Sequence, residues 1–433
     1  MKVLLISSNT ADEPYVVFPL GVGVVARSLI EAGHEIRILD CLMMEQTLDV
    51  EVNDFRPDVI GVGIRNIDNV NFLAPVFYLD DAVRLVQKLR GISQVPIFLG
   101  GAGFSLMPEK ILDYTGADYG VAGAGEHAVL EMLDAIDSGL SSKRIFHACG
   151  TDGGVGRCHY DRRISEFHLK ETGILPVQTK RGCPKKCVYC SYPLLEGRQV
   201  YCRDTVETIE ELRFLQREFA PETIYFTDSI FNDADGKYLE LLEAIVRYEL
   251  NISWSAFFTP ENFDRASVEL MKRSGIKNVE LGMDACSDTT LRGLGKDYDF
   301  NTVVNSCELF RSAGIPVSSS CIAGGPGENH HTMSEGIKNL SRLDWVSNFV
   351  FMGIRILPGA AIERIALAQG VLAPGTDLLK PVFYLSPEID DQELFEGLNE
   401  GFRGVKHVVF PPQSRNEELK FFRKLQARAG GNP

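Results

Sequence analysis

The first third of the chain alternates between short, continuous apolar runs and longer segments with a helical period. Continuous apolar residues are typical of parallel strands that are buried on both faces. The runs that fit this description are KVLLIS, EIRILD, PDVIGVGI, PIFLGG and ADYGVAG. Helical segments such as GVGVVARSLIEAG lie between them. The alternation predicts an α/β domain over residues 1–145 with a doubly wound parallel sheet.

A second alternating series begins at Ile174. Its predicted strands are ILPVQT, ETIYFT, NISWSAFF, NVELGM, VSSSCIAG and NFVFMGIRI. Helices are predicted over 204–218, 236–248, 265–273, 301–312 and 333–341. This order predicts a partial (β/α)6 barrel over residues 173–370, with its chemistry at the carboxyl ends of the strands. Residues 146–172 lack a clear period and are predicted to be a linker with little regular structure, and residues 371–433 to form a small C-terminal cap.

Composition narrows the possible partners. The chain has 433 residues, is 45% hydrophobic and carries a formal net charge of −15. A field of that sign repels phosphate backbones, so we expect no nucleic-acid partner. No apolar run approaches the roughly 20 residues of a membrane-spanning helix. The N-terminal MKVLLISSNT has too short an apolar run for a secretory signal, so we expect a cytoplasmic protein that does not span a membrane.

Candidate ligand-binding residues follow the strands of the first domain, because ligands of doubly wound sheets bind beyond the carboxyl ends of the strands. Several are glycines, which let the backbone approach a large ligand closely but also suit any tight strand-to-helix turn. They do not identify the ligand. The candidates are Ser7, Ser8, Asn9, Arg65, Asn66, Gly100, Gly101, Gly103, Gly123, Gly125 and Glu126.

Three cysteines with CxxxCxxC spacing follow the first strand of the barrel. Cys183, Cys187 and Cys190 lie in KRGCPKKCVYCSYP. Three thiolates on one short loop suit an iron–sulfur cluster and are one short of the four that a closed all-cysteine site uses. One iron would therefore be open. A structural zinc or disulfide loop is the alternative, but no fourth Cys or His lies at the required spacing.

This array resembles the signature of the radical S-adenosylmethionine family, with Tyr189 in the aromatic position before the third cysteine. The resemblance implies that the open iron chelates S-adenosylmethionine and that one electron cleaves it to a 5′-deoxyadenosyl radical. Thr227 and Asp228 in IYFTDSIFN resemble the stretch that receives the methionine amino group. Asp284 in ELGMDACSD resembles the residue that holds the ribose hydroxyls, and Ile322 in CIAGGPGEN the apolar backbone beside adenine.

An upstream flavodoxin-like domain joined to such a barrel resembles the cobalamin-dependent class of this family, and the resemblance covers about residues 1–370. The DxHxxG segment that supplies a histidine to cobalt in many cobalamin domains is missing. The nearest string, IFHACG at 145–150, has Ile where Asp belongs. We therefore expect cobalamin to bind without a histidine on cobalt. Arg65 or Asn66 is expected beneath the corrin ring, with a salt-bridged surface arginine as the alternative.

The resemblance implies a C-methyltransferase that uses two molecules of S-adenosylmethionine. One supplies the methyl group of methylcobalamin, and the other yields the radical that abstracts hydrogen from an unactivated carbon. Two alternatives keep parts of this assignment: an enzyme that rearranges or cyclises its substrate, and a non-catalytic cobalamin carrier or sensor. The substrate is expected to be a peptide or protein residue, or a lipid or small-molecule precursor.

Other polar residues near these motifs have ordinary interpretations. A flavodoxin- or ferredoxin-type protein is expected to donate the electron, and the basic residues around the cysteines would either dock it or be solvated. His330 and His331 are adjacent and therefore point in different directions, which favours a solvent-facing pair. The cysteines expected to be small buried hydrophobes are Cys286, Cys307 and Cys321.

Overall fold

The computed structural model describes residues 1–43, 48–139, 142–148 and 154–415. Its first sheet is parallel throughout and has the strand order β2-β1-β3-β4-β5-β6. The strands are β1 (Lys2–Ser7), β2 (Glu35–Asp40), β3 (Val59–Gly63), β4 (Ile97–Gly100), β5 (Tyr119–Ala122) and β6 (Ile145–His147). The helices are α1 (Leu20–Glu31), α2 (Leu48–Phe55), α3 (Leu79–Ile92), α4 (Ala102–Leu106), α5 (Pro108–Thr115) and α6 (Gly125–Ser138), with a 3-10 turn at Cys41–Met43. The predicted flavodoxin-like sheet is confirmed.

The second sheet is also parallel and curves into a partial barrel of order β17-β14-β13-β12-β11-β10-β7. Its strands are β7 (Ile174–Val177), β10 (Thr223–Phe226), β11 (Trp254–Phe258), β12 (Ile276–Asp284), β13 (Val317–Ala323), β14 (Val346–Met352) and β17 (Val408–Val409). Two small antiparallel pairs join β8 (Lys180–Arg181) to β9 (Tyr201–Cys202) and β15 (Ile354–Arg355) to β16 (Phe383–Tyr384).

Five helices lie at or within a few residues of the predicted positions: α9 (Thr205–Glu218), α10 (Lys237–Arg247), α11 (Arg265–Arg273), α13 (Phe300–Ala313) and α14 (His330–Ser341). The others were not predicted: α7 (Arg162–Thr172), α8 (Tyr192–Leu195), α12 (Asp288–Gly293), α15 (Ala361–Ala368) and α16 (Asp391–Gly401), with a 3-10 turn at Pro412–Arg415. Side-chain caps begin several of them; Asp204 accepts from Val206 N at 2.8 Å and opens α9. No helix in the described ranges is long and apolar enough to cross a membrane.

The segment predicted to be an irregular linker contains regular structure. Residues 145–147 form β6, the edge strand of the first sheet, and residues 162–172 form helix α7. The helix was not predicted because two of its three buried residues, Ser165 and His168, are polar and do not add to an apolar face. Residues 149–153 of this segment lie outside the described residues.

The C-terminal region is integrated into both domains and is not a separate cap. Strand β17 pairs with β14 and extends the barrel sheet. Leu379 is 7% exposed and belongs to the core between the first sheet and its helices. A two-residue strand and a single buried leucine produce no periodic signal, so these placements could not be predicted. Residues 416–433 lie outside the described part of the chain.

Buried polar pairs join the first domain to the rest of the chain. His168 on α7 bonds through Nε2 to Asp40 Oδ2 at the end of β2, at 2.9 Å, and both side chains are fully buried. Arg355 on β15 donates from Nε to Asp68 Oδ2 at 2.7 Å, again with both side chains buried. Burial makes such pairs costly to break, so they hold the two sheets in one arrangement.

Candidate functional site

The cysteine loop lies between strand β8 and helix α8 and is fastened at several points. Cys183 N donates to Gly197 O at 3.1 Å, and Val188 N donates to Leu294 O at 3.0 Å. Gly182 has φ 96°, and a Cβ at that position would lie 1.9 Å from the carbonyl oxygen of Gln199. Only glycine allows this turn, which brings Cys183 into the loop.

The three predicted cluster cysteines are close enough to influence one another's ionisation. Burial raises the pKa of Cys183, and it raises the pKa of Cys190 to about 12, with the other two thiols adding to the latter effect. Three ionised thiols at such a position require compensating positive charge, which iron supplies. Within the described ranges, no three His, Cys, Asp or Glu side chains converge on a single metal ion. A cluster does not require this, because each cysteine binds its own iron.

A buried lysine that the sequence did not reveal connects several predicted site residues. Lys296 forms an ion pair with Asp284 and donates to Cys187 Sγ at 3.0 Å and to the Tyr189 hydroxyl at 3.2 Å. Burial lowers the pKa of Lys296, but Asp284 and the neighbouring tyrosines outweigh this and hold the pKa well above the ordinary value. Lys296 follows α12 in an unremarkable GLGKD string, so no local signal marks it.

Asp284 ends β12 in a left-handed conformation, with φ 65°. Such a conformation is uncommon outside glycine and places the carboxylate where the strand meets the site. The structure thus brings the predicted ribose-binding residue beside the cysteine loop, through Lys296. Ile322 lies on the neighbouring strand β13 and is half-buried. Its predicted place beside adenine stays a prediction.

The predicted methionine-binding stretch differs from the expectation in one respect. The Asp228 carboxylate accepts from Thr179 N at 2.6 Å, from Thr179 Oγ1 at 2.5 Å and from Lys180 N at 2.9 Å. It is therefore used to close the turn after β7 and does not point to an open position. The Thr227 hydroxyl donates to Val177 O at 3.4 Å. The Thr227 hydroxyl oxygen keeps its acceptor lone pairs, so the predicted contact of this stretch with the methionine amino group stays a prediction.

Glu196 is an acidic residue at this turn that sequence analysis missed. Its Oε2 accepts from Gly182 N at 3.1 Å and from Ser229 Oγ at 2.6 Å. It thereby links the start of the cysteine loop to the turn that follows β10. Its sequence context, LLEGRQ, contains no motif, and only the return of the chain after α8 places it there.

On the first domain, the candidate residues gather at the edge where strands β1 and β3 end. These strands are neighbours in the sheet although helices on opposite faces follow them, which is the switch point where doubly wound sheets bind ligands. Ser8 donates from Oγ to Gly63 O at 3.0 Å, and Asn9 accepts from Ala11 N at 3.3 Å, so both side chains shape the loop. Ser7 is buried at the strand end.

Arg65 is the charged group at this edge. Its side chain is exposed, as is that of Asn66. Its predicted place beneath the corrin ring, with a salt-bridged surface arginine as the alternative, stays a prediction. Burial raises the pKa of Tyr78, and the Arg65 charge partly offsets this. Arg65 has the same lowering effect on the pKa of Tyr192, which burial also raises.

Two of the predicted glycines serve loop packing. A Cβ on Gly101 would lie 2.5 Å from Ile64 O, and a Cβ on Gly103 would lie 3.0 Å from the carbonyl carbon of Asn66. Gly101 and Gly103 therefore allow the loop after β4 to lie directly against the Arg65 loop. Gly100 has space around it, with Val121 O at 3.7 Å as the nearest atom to an added Cβ.

The loop after β5 faces the barrel. Gly123 has φ 87°, and Gly125 begins α6. Glu126, predicted to contact cobalamin, forms an ion pair with Arg181 at 2.9 Å, and both side chains are largely buried. Since Arg181 immediately precedes the cysteine loop, Glu126 connects the two domains next to the predicted cluster.

The remaining predictions have simple outcomes. His330 and His331 are exposed, and His330 faces Glu393 at 3.3 Å. Cys307 and Cys321 are buried and Cys286 is half-buried. The basic residues of the cysteine loop are mostly neither solvated nor available for docking, because Lys180, Arg181 and Lys185 pair with carboxylates inside the protein. Lys186 is exposed.

The two candidate sites meet in one place. Helix α4, which follows the Gly100–Gly101 turn, packs against helix α8, which follows Cys190. The Arg65 loop lies against the glycine turn at the start of α4. The strand-end loops expected to bind cobalamin therefore lie close to the loop expected to hold the cluster.

Comparison with known families identifies both halves. Residues 7–133 match the B12 binding domain family, and residues 177–340 match the radical SAM superfamily. The chain is a cobalamin-binding radical SAM protein. The candidate strand-end residues of the first domain and the cysteine loop of this radical SAM protein fall within these two ranges. The last barrel strands, β14 and β17, lie beyond them.

Several curated relatives of this radical SAM protein are methyltransferases, and others include a cyclase. It is 25% identical to tryptophan 2-C-methyltransferase of Streptomyces laurentii, across 85% of this chain and 74% of that protein. It is also 25% identical to an uncharacterized methyltransferase of Pyrococcus horikoshii, across 86% of this chain and 84% of that protein. The structure of the methyltransferase TsrM from Kitasatospora setae, with tryptophan and a SAM analog bound, matches with a TM-score of 0.85 at 20% identity and covers 98% of this chain and 96% of that one. At that identity the structural match shows the fold alone.

Proposed function

We propose that this chain is a cobalamin-dependent radical SAM C-methyltransferase that methylates an unactivated carbon of a peptide or protein residue, or of a lipid or small-molecule precursor. The observation that supports the proposal is the contact between α4, which follows a strand end of the first domain, and α8, which follows the cysteine loop. A methyl donor and a radical generator must reach the same carbon, and two separate sites would not allow this. The names of the relatives, which include a hopanoid C-3 methylase, support carbon as the acceptor.

The residues fit both cofactors. Cys183, Cys187 and Cys190 would hold the cluster, and the strand ends of β1 and β3, with Arg65, would lie under the corrin. When bound, the cluster supplies the electron that cleaves S-adenosylmethionine, and cobalamin supplies the methyl group. The chain itself orients these groups: Lys296 ties Asp284 to Cys187, and Glu126 ties the cobalamin domain to Arg181.

We also expect a flavodoxin- or ferredoxin-type protein to supply the electron. Three of the four basic residues around the cysteines are paired inside the protein, so they do not form its docking surface. Lys186 is the exposed cation of this set.

The test uses anaerobically reconstituted protein with S-adenosylmethionine and a reductant. Cys187→Ala should abolish formation of 5′-deoxyadenosine, because the cluster loses one of three ligands. Cys202→Ala is the matched control, since Cys202 is an exposed cysteine of the same region and should leave cleavage unchanged. Undiminished cleavage in Cys187→Ala would contradict the assignment.

Product mass separates methylation from the alternatives. Comparison of metabolites and proteins from a deletion strain and its parent should show a product heavier than its precursor by one methylene unit. A product of unchanged mass would instead indicate a rearrangement or cyclisation, and no cleavage of S-adenosylmethionine by the wild type would indicate a carrier or sensor.

A further inference from the structure

The lumen of the barrel contains a tyrosine–glutamate pair that belongs to neither cofactor site described above. The Tyr225 hydroxyl, on β10, donates to Glu280 Oε2, on β12, at 2.7 Å. The residues on either side of each are buried in the core between the barrel and its helices: Ile224, Phe226, Val279 and Leu281. Because side chains alternate along a strand, Tyr225 and Glu280 point to the opposite face, which is the lumen.

The Glu280 carboxylate has no positive partner. Within the described ranges, no Lys, Arg or His nitrogen lies within ion-pair distance of it, and the Tyr225 hydroxyl is its one recorded hydrogen-bond partner. Lys277 on the same strand donates instead to Thr223 Oγ1, at 3.1 Å. Burial raises the pKa of Glu280, against a smaller lowering effect of the Tyr225 hydrogen bond. A cation bound beside Glu280 would relieve the cost of burying its ionised carboxylate.

Aromatic and aliphatic side chains line the lumen above the pair. On β14 the lumen-facing residues Phe349 and Phe351 are accessible, and Phe351 is 41% exposed. Ile322 lies opposite Phe351 on β13. The ring of Phe257 lies over Gly282, because a Cβ added to Gly282 would lie 2.6 Å from Phe257 Cζ. Aromatic faces also favour positive charge, so this wall suits an apolar body that carries a cation.

The pair lies within reach of both predicted cofactor sites. Glu280 and Asp284 are four residues apart on β12, which corresponds to about 13 Å along the strand. Burial and Glu280 raise the pKa of Tyr225, and Tyr15 of the first domain and Tyr192 beside the cysteine loop add smaller effects in the same direction. Groups of the first domain and of the cysteine loop thus contribute to the electrostatic surroundings of Tyr225. A small molecule anchored at Glu280 would extend along β12 toward its carboxyl end, where Asp284 lies.

We propose that Glu280, held by Tyr225, binds the cationic nitrogen of the substrate, and that the substrate is a small molecule with a protonated amine on an aromatic or aliphatic body. The identification of the bound cation as the substrate rests on the proposed function. The binding of a cation at Glu280 does not. The amine would donate to Glu280 Oε1, the oxygen that Tyr225 leaves free. The apolar body would then lie along Phe257 and Phe351.

The test compares three isosteric probes: benzylammonium, benzyl alcohol and benzoate. Their dissociation constants are measured by calorimetry on the anaerobically reconstituted holoenzyme. We expect the wild type to bind benzylammonium about tenfold more tightly than benzyl alcohol, with benzoate weakest, since a charge-assisted hydrogen bond replaces a neutral one. Glu280→Gln should remove this preference. Tyr225→Phe retains the carboxylate and should retain the preference.

Glu243→Gln serves as the control, because Glu243 is an exposed carboxylate on α10 and its loss should leave the preference unchanged. The inference is wrong if the wild type binds benzylammonium no better than benzyl alcohol, or if Glu280→Gln keeps the preference. Cleavage of S-adenosylmethionine by the same wild-type preparation tests the proposed function separately. Cleavage without the preference contradicts this inference alone, and the preference without cleavage contradicts the proposed function alone.

Discussion

Arg65 combines two properties that bear on cobalt chemistry. A guanidinium does not lose its proton at accessible pH and is a poor metal ligand. In this chain it is also exposed. A permanent charge of this kind beside the metal would favour the electron-rich cobalt(I) state over the more positive states.

Replacement of Arg65 by Leu should therefore lower the cobalt(II)/cobalt(I) potential, by about 60 mV for each 1.4 kcal/mol of lost charge stabilisation. Methyl transfer should slow in this variant. Formation of 5′-deoxyadenosine should stay largely unchanged, because it depends on the cluster, and it therefore serves as the internal reference. Spectroelectrochemistry measures the potential, and Arg84→Leu, an exposed arginine of α3, is the control.

Electron paramagnetic resonance of the cobalt(II) wild type should show no nitrogen splitting from a histidine. Such a splitting, or an unchanged potential and methylation rate in Arg65→Leu, would contradict the role of Arg65.

At the scale of elements, α7 illustrates how a helix can be specified by tertiary contacts. Its N-cap Asp161 accepts from Ile164 N at 3.1 Å and its buried face contains Ser165 and His168. Ile164 packs into the core, and a buried pair joins His168 to Asp40 at the end of β2. A helix of eleven residues is marginal by itself, so α7 depends on such tertiary contacts.

His168→Leu leaves the Asp40 carboxylate buried without its partner. We expect the free energy of unfolding from urea titration to fall by about 3 kcal/mol. The double variant His168→Leu, Asp40→Leu should recover most of this loss, because no buried charge remains. Lys170→Leu, on the exposed face of α7, is the control and should change stability little. A double variant as unstable as the sum of the two single variants would mean that the pair is not coupled.

At the scale of the whole molecule, the cobalamin domain is completed by distant parts of the chain. Arg355 bonds to Asp68, which lies three residues beyond Arg65, and also donates to Ile356 O at 2.6 Å and Leu378 O at 2.8 Å. Leu379 enters the core of the first sheet. A fragment ending at residue 145 would lose these contacts and interrupt β6, so cobalamin binding is best measured on the full chain.

Arg355→Met should loosen the cobalamin domain although the substitution lies in the C-terminal region. Asp68 would remain buried without a partner, at a cost of about 3 kcal/mol. Amide hydrogen exchange should become faster over residues 64–78, which form the loop between β3 and α3. Arg364→Met, on the exposed side of α15, is the control. Unchanged exchange in this loop would show that the C-terminal region does not support it.

The sequence by itself determined the central strands of both sheets and most of the helices between them, because continuous apolar runs and helical periods are local signals. It did not determine β6, α7 or β17. It also determined the candidate cluster, since three cysteines in one short loop are adjacent in any fold. Only the tertiary structure decided that Asp228 turns inward, that Lys296 joins Asp284 to Cys187, and that Glu126 pairs with Arg181. The pairing of Tyr225 with Glu280 belongs to the same class. Each of these contacts joins residues that are far apart in the chain. Whether such residues meet depends on the order of the parallel strands in the sheets, which no local sequence pattern encodes.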